Sequence, residues 1–272
     1  MEVEMETHRR HLVRLVVSGE PSWGVVDEDR VYQLPHSPFD RRKELPTGAW
    51  EPGPEIGPLG QVDLLAPVVP SKIICVGRNY PAHAAEHDSA VPVEPLLFLK
   101  PPSAVIGPGE PIFLPPQSER VEHEAELAVV IGRRCRNILP EDAWEVALGV
   151  TAANDVTARD LQQRDGQWTR AKGFDTFCPV GPWVVNGLSE GQLNDLEVAC
   201  RVNGAVRQTG RVSDMVFSPA VLIAYAASVM TLEPGDLILT GTPAGVGPLE
   251  AGDVVEVDVE SVGVLSNPVS GG

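Results

Sequence analysis

The stretch Val121-Glu122-His123-Glu124-Ala125-Glu126-Leu127-Ala128-Val129-Val130-Ile131-Gly132 constrains this chain most, because it joins a strand pattern to a charge pattern that a strand avoids. The odd positions up to a glycine are mostly apolar (Val121, Ala125, Leu127, Val129 and Ile131), which predicts a half-buried β-strand. Residues two apart share a strand face, so Glu122, Glu124 and Glu126 project together, roughly 7 Å from one to the next. Three like charges so placed repel. The face continues into Ala128 and Val130, which speaks against free solvation of its acidic half. A hard divalent cation, which takes carboxylate oxygens at roughly 2–2.5 Å, would turn the repulsion into binding. An exposed acidic strand face is the alternative.

Around this strand the chain runs to 272 residues, near the size at which one core stops growing, so one main domain and a smaller unit are expected. The formal net charge of −17 disfavours a phosphate backbone or an anionic membrane as partner, since both demand basic patches. Cys75, Cys135, Cys178 and Cys200 show no C-x-x-C spacing, which fits neither a disulfide scaffold nor a thiolate metal site and suits a reducing cytoplasm. The start His8-Arg9-Arg10-His11 is followed by an apolar run broken at Arg14, without a small-residue cleavage site, so no secretory leader is expected. No run reaches the length of a membrane helix. The 26 glycines and 26 prolines point to many short strands joined by turns.

Leu12–Val17, Trp23–Val26 and Val31–Leu34 read as short strands, and the prolines between 35 and 70 bar long helices and central strands. A small N-terminal β domain with a proline-rich connector is thus expected over 1–70, and the main domain over 71–272, with the boundary near Ser71. Ser71 to Gly77 reads as a buried strand, followed by a helix entered at Pro81 that carries His83, Glu86 and His87 on one face. Three readings compete there. A solvated polar face is one; a His83–Glu86 dyad, in which the carboxylate orients the imidazole for proton transfer, is the second. The third takes H-x-x-E-H as a zinc-peptidase motif, with His83 and His87 on zinc and Glu86 as base.

Leu148 to Ala153 predicts another strand ending at Asn154-Asp155, with a helix from Val156 capped by that pair. Asp155 is an ordinary cap paired with Arg159, or the third oxygen ligand beside Glu124 and Glu126. Trp168 to Pro182 lacks periodicity and reads as an ordered loop, in which Lys172 is unremarkable by itself. A helix is predicted over Pro219–Met230, then a strand over Leu237–Thr240 feeding the loop Gly241 to Gly247. That loop can bind a carboxylate through backbone N–H groups and the Thr242 hydroxyl, but lacks the G-K-[ST] of a nucleotide site. Val254 to Val262 alternates with Glu256, Asp258 and Glu260 outward, a solvated strand face.

Taken in order, Gly77-Arg-Asn-Tyr80 with His83 and Glu86, Phe98-Leu-Lys-Pro101, Glu124 to Gly132, Asn154-Asp-Val-Thr-Ala-Arg-Asp160, Lys172-Gly-Phe-Asp with Cys178-Pro, and Leu237 to Gly247 resemble the fumarylacetoacetate hydrolase family. The resemblance spans roughly Lys72 to Val264, and the first 70 residues resemble the variable leading segment of longer members. It implies an α+β, mainly β fold, a mixed β roll with flanking helices, commonly a homodimer. It implies magnesium or manganese held by Glu124, Glu126 and Asp155, with Glu122 outside the ligand set. It also moves Lys172 to substrate contact and suggests that Arg159, Gln162 and Thr242 line the pocket, while His87 falls outside the motif.

A 2-oxo acid could then chelate the ion through its C1 carboxylate and C2 oxygen, with Lys172 stabilising an enolate and His83, oriented by Glu86, moving the proton. A lid carrying that pair would exclude water. The resulting expectation is an isomerase and decarboxylase of aromatic catabolism, of the 2-hydroxyhepta-2,4-diene-1,7-dioate isomerase / 5-oxopent-3-ene-1,2,5-tricarboxylate decarboxylase type. Acylpyruvate hydrolysis or oxaloacetate decarboxylation is the close alternative; the zinc peptidase and a non-catalytic binding protein are remote ones.

Overall fold

The computed structural model describes residues 10–39, 50–86 and 88–272, so His8, Arg9, part of the connector including Pro46, and His87 lie outside it. Strands dominate. The leading ones are β1 (Arg10–Val17), β2 (Glu20–Asp27), β3 (Arg30–Gln33), β4 (Glu55–Pro58) and β5 (Leu64–Leu65). Next come β6 (Ile73–Gly77), helix α1 (Pro81–Glu86), β7 (Leu96–Lys100), β8 (Val105–Ile106), β9 (Ile112–Leu114), β10 (Val121–His123) and β11 (Ala125–Ile131). They are followed by α2 (Ala143–Val146), β12 (Ala147–Asn154), β13 (Thr157–Ala158), α3 (Arg159–Asp165), α4 (Thr169–Lys172), β14 (Cys178–Asn186), α5 (Glu190–Asp195), β15 (Glu197–Val202) and β16 (Ala205–Arg211). The chain closes with α6 (Pro219–Val229), β17 (Leu237–Leu239), β18 (Gly247–Pro248), β19 (Val254–Val259) and β20 (Gly263–Gly271).

A mixed sheet of 12 strands runs β4-β3-β2-β1-β14-β12-β11-β17-β6-β7, with β5 on β1 and β8 on β14. A sheet of 5, β16-β15-β19-β20-β9, packs across β11, β12 and β14, and β13-β10-β18 form a third. The leading strands form no sheet of their own: β1 lies antiparallel to β14, pairing Leu12 with Val184, and Leu12 shares a core with Ile73, Cys75 and Val180. The fold is the expected mainly β one, with a small N-terminal unit continuing its main sheet.

Two expectations about the acidic strand need correction. It is not half-buried: every residue from Val121 to Ile131 is buried. Ala125, Leu127, Val129 and Ile131 pack against the second sheet, while Ala128 and Val130 face a separate core with Trp50, Val68 and Ala104, so both faces are covered. Nor is it one strand. β10 pairs with β13 and β18, whereas β11 pairs with β12 and β17, and the break falls at Glu124. The helix expected from Val156 begins instead at Arg159, because Thr157 and Ala158 extend to pair with Glu122 and Val121. The expected loop over 168–182 contains α4 and the start of β14.

Helix α6 is capped by Ser218, whose Oγ accepts from Val221 N at 3.4 Å, and buries Leu222, Ile223, Ala226 and Ala227 in the core between the sheets. β19 alternates as expected, with Asp258 paired to Arg201 Nη1 at 2.8 Å on β15. No helix among the described residues is long and apolar enough to cross a membrane.

Candidate metal centre

Glu124 occupies the junction of β10 and β11, where its N–H donates to Asn154 Oδ1 and its carbonyl accepts from Asp155 N, each at 2.9 Å. These two bonds zip the acidic segment to the end of β12. Glu126 stands opposite Ala153 in the β11–β12 ladder and accepts from Gly241 N, just past β17, at 2.6 Å. Carboxylate oxygens of Glu124, Glu126 and Asp155 come within 4.8 Å of one another, and all three residues are buried. The three acids singled out in the sequence therefore converge, and Glu122 stands apart from them.

What holds so much negative charge inside the protein is a set of cations from distant segments. Lys172 Nζ donates to Glu124 Oε2 at 2.8 Å and to Asp155 Oδ2 at 2.7 Å. Lys100 Nζ reaches Asp155 Oδ1 at 2.6 Å and Val156 O at 3.1 Å. Arg159 Nε bonds Glu122 Oε2 at 2.6 Å, its Nη1 bonds Gln162 Oε1 at 2.6 Å, and its Nη2 bonds Glu124. Arg120 Nε takes the other Glu122 oxygen at 2.6 Å. Asp155 is thus neither a helix cap nor the partner of Arg159, because two buried lysines occupy its carboxylate.

Glu126 is the exception. Among the described residues its carboxylate receives only the Gly241 N–H, and no lysine or arginine pairs with it. Burial and the neighbouring Asp155 and Glu124 charges push its pKa well above the usual carboxylate range. Glu124 goes the other way. Burial would raise it, but Lys172, Arg159 and His83 outweigh that and hold it below the usual range. Burial would lower Lys172, yet Asp155 and Glu124 raise it above an ordinary lysine, so it is a fixed cation rather than a base.

The trio floors a cavity of about 240 Å³ that is also lined by His83, Arg159, Gln162, Lys172 and Thr242. Glu86 completes the set from behind: its Oε2 lies 3.4 Å from His83 Nδ1, and its Oε1 accepts from Gly245 N at 2.8 Å. The glycine loop does bind carboxylates through backbone N–H groups, but the protein's own, Glu126 at Gly241 and Glu86 at Gly245. The Thr242 hydroxyl donates to Ala125 O at 2.8 Å and accepts from Gln208 Nε2 at 2.7 Å. Its single proton is committed in this arrangement, so it faces the cavity as an acceptor and not as the carboxylate donor expected from the loop.

Lys100, Arg120 and Gln208 were not foreseen as part of the site. Lys100 carried a signal, a lysine ending the otherwise apolar strand Leu96-Leu-Phe-Leu, which only a buried anion makes tolerable. Gln208 carried none, although it ties His123, Ala125 N and Thr242 together from β16.

The donor set fits a hard divalent ion. Three buried carboxylates offer oxygens close enough to share one ion, and one of them, Glu126, has no lysine or arginine paired with it among the described residues.

Comparison with known proteins bears on the same residues. Residues 72–270 match the family described as fumarylacetoacetate (FAA) hydrolase C-terminal, and residues 10–67 match one described as Rv2993c-like, N-terminal. Protein Rv2993c of Mycobacterium tuberculosis is 53% identical over 212 residues, covering 78% of this chain and 80% of that protein. The human protein named oxaloacetate tautomerase FAHD2A, mitochondrial, is 46% identical over 222 residues, 78% of this chain and 71% of its own length. A crystal structure titled 2-hydroxyhepta-2,4-diene-1,7-dioate isomerase, from Mycobacterium marinum, superposes with a TM-score of 0.85 at 42% identity, covering 96% of this chain and 98% of that one. With a family match over most of its length and the same fold at this identity, the chain belongs to the fumarylacetoacetate hydrolase family, whose members are enzymes acting on small molecules.

Proposed function

We propose that this chain is a magnesium- or manganese-dependent enzyme that moves a proton on 2-oxo acids or their 2-hydroxydienoate forms, with Glu124, Glu126 and Asp155 as the ligands of the ion. The observation that carries the reading is the convergence of these three carboxylates in one cavity with the His83–Glu86 pair. Bound there, the ion would supply positive charge to the C1 carboxylate and 2-oxo oxygen of the substrate. Lys172, held protonated and reaching Glu124 and Asp155, adds a fixed positive charge beside them as the enolate forms. His83 takes or returns the proton at C3, and Glu86, itself anchored by Gly245 N, sets the orientation of the imidazole. Helix α1 keeps water away from this step, since Ala84 is buried and its Glu86 is docked on the glycine loop.

Proton shift is favoured over decarboxylation and hydrolysis because tautomerase and isomerase, the names of the relatives described above, both denote migration of a proton across an enol. A dienedioate isomerisation of the 2-hydroxyhepta-2,4-diene-1,7-dioate type and a tautomerisation of oxaloacetate are the two forms this takes. The test is a product-resolved assay in D2O with magnesium or with EDTA. It should show magnesium-dependent deuterium entry at C3 of a 2-oxo acid, lost in His83→Gln, with carbon dioxide release and acyl cleavage at lower rates. No magnesium-dependent exchange, or stoichiometric zinc depending on His87, would sink the proposal.

A further inference from the structure

Arg78 lines the cavity beside the trio yet takes part in none of its ion pairs. It follows the last residue of β6 with φ at 59°, a left-handed conformation that is strained for a residue with a side chain. Asn79 imposes that conformation. Its Nδ2 donates to Thr240 O at 2.8 Å and Phe217 O at 3.0 Å, its Oδ1 accepts from Phe217 N at 2.9 Å, and its carbonyl accepts from Val216 N at 2.8 Å. Glycine would make the same turn without strain, so the turn by itself gives no reason for an arginine. The guanidinium makes no hydrogen bond or ion pair with the described residues, whereas the other lysine and arginine lining the cavity each hold two carboxylates.

Strand register locates this free charge. Ala128 pairs with Leu239, and Leu239 with Cys75, so Glu126, Gly241 and Gly77 stand abreast at one end of β11, β17 and β6. Arg78 is the next residue, two strand spacings or roughly 10 Å across from the Glu126 backbone. Phe98 and Trp168, edge to face with centroids 5.1 Å apart, supply an apolar lining for a carbon chain. Trp168 comes so close to this turn that a Cβ on Gly77 would lie 2.8 Å from the indole.

We infer that Arg78 binds the second carboxylate of a dicarboxylic 2-oxo acid and thereby makes the site prefer diacids. This rests on the reading above, in which the C1 carboxylate and 2-oxo oxygen face the trio. A negatively charged far end then needs a cation that the trio does not already occupy. An arginine presents two parallel N–H donors to a carboxylate, which makes the preference geometric as well as electrostatic.

The experiment measures magnesium-dependent proton exchange at C3 in D2O for the full chain with 2-oxoglutarate and with 2-oxobutanoate, a diacid and a monoacid. Arg78→Asn removes the charge with a residue that tolerates left-handed backbone, and Arg78→Lys keeps the charge but not the fork. The wild type should favour the diacid. Arg78→Asn should cut the diacid-to-monoacid ratio of kcat/KM by roughly tenfold to a hundredfold, mainly through KM, with Arg78→Lys in between and no loss of thermal stability in either. A ratio that Arg78→Asn leaves unchanged, or an equal fall for both acids, overturns the inference while the enolisation reading stands. A wild type that exchanges neither acid overturns that reading first and the inference with it.

Discussion

Glu126→Gln separates the stability of the site from its use. At 4.8 Å, the bound on oxygen separations within the trio, two carboxylate charges at an effective dielectric of about 20 repel by about 3.5 kcal/mol. Glu126 faces two such neighbours with no cation paired to it among the described residues, while Glu124 and Asp155 are offset by Lys172, Lys100 and Arg159. Protonation of Glu126 caps the penalty in the metal-free protein, and the amide keeps an oxygen for Gly241 N–H, so the expected gain is about 2 kcal/mol. With an unfolding entropy of about 2.1 cal/mol/K per residue over 272 residues, that is a rise in Tm of about 3–4 °C. The pH dependence has a definite sign. A carboxyl whose folded pKa is raised contributes stability below its unfolded pKa and loses that contribution as pH rises through the folded value. The variant lacks this loss, so its advantage in EDTA should be near zero at pH 4.5 and should widen toward pH 8. Magnesium reverses the ranking: at a hundred times its Kd it adds about 2.7 kcal/mol to the wild type and little to the variant. Calorimetry in EDTA and in magnesium reads both effects. A variant that melts several degrees below wild type in EDTA, or that keeps the full magnesium shift, refutes the reasoning.

Two further outcomes are expected. Asp236, fully buried, accepts from Ser71 N at 3.0 Å, Ser71 Oγ at 2.6 Å, Lys72 N at 3.1 Å and Glu233 N at 2.8 Å and pairs with Lys72, so Asp236→Ala should cost about 3–5 kcal/mol, and an unchanged denaturant midpoint would contradict this. All four cysteines are buried and free of disulfides, and burial pushes Cys178 and Cys200 up to about 12, so native protein should resist thiol labelling until it unfolds; rapid labelling without denaturant would contradict the packing.

The acids were legible because alternation along a strand is a local property: positions two apart share a face whatever lies across from them. The same pattern misjudged burial, since nothing in Val121 to Ile131 announces that a second sheet covers one face and that Trp50, Val68 and Ala104 cover the other. For a related reason the residues around Asp155 left a helix cap open beside the ligand reading. Its spacing to Arg159 suits a helix, and only the pairing of Thr157 and Ala158 with β10 delays the helix and frees the carboxylate for Lys100 and Lys172.

By itself the order of residues determined the strand-rich architecture, the converging acids and the histidine–glutamate helix, because each is written in short-range spacing or in motifs that travel together. The tertiary structure decided which charge meets which. Lys100, Lys172 and Arg159 reach the acids across 17 to 55 residues, and Gly241 N reaches Glu126 across 115. Such pairings depend on how distant strands register, and no local pattern records that. Among the described residues they also leave Glu126 without a paired cation and Arg78 without a paired anion, a difference in charge that exists only once the chain is folded.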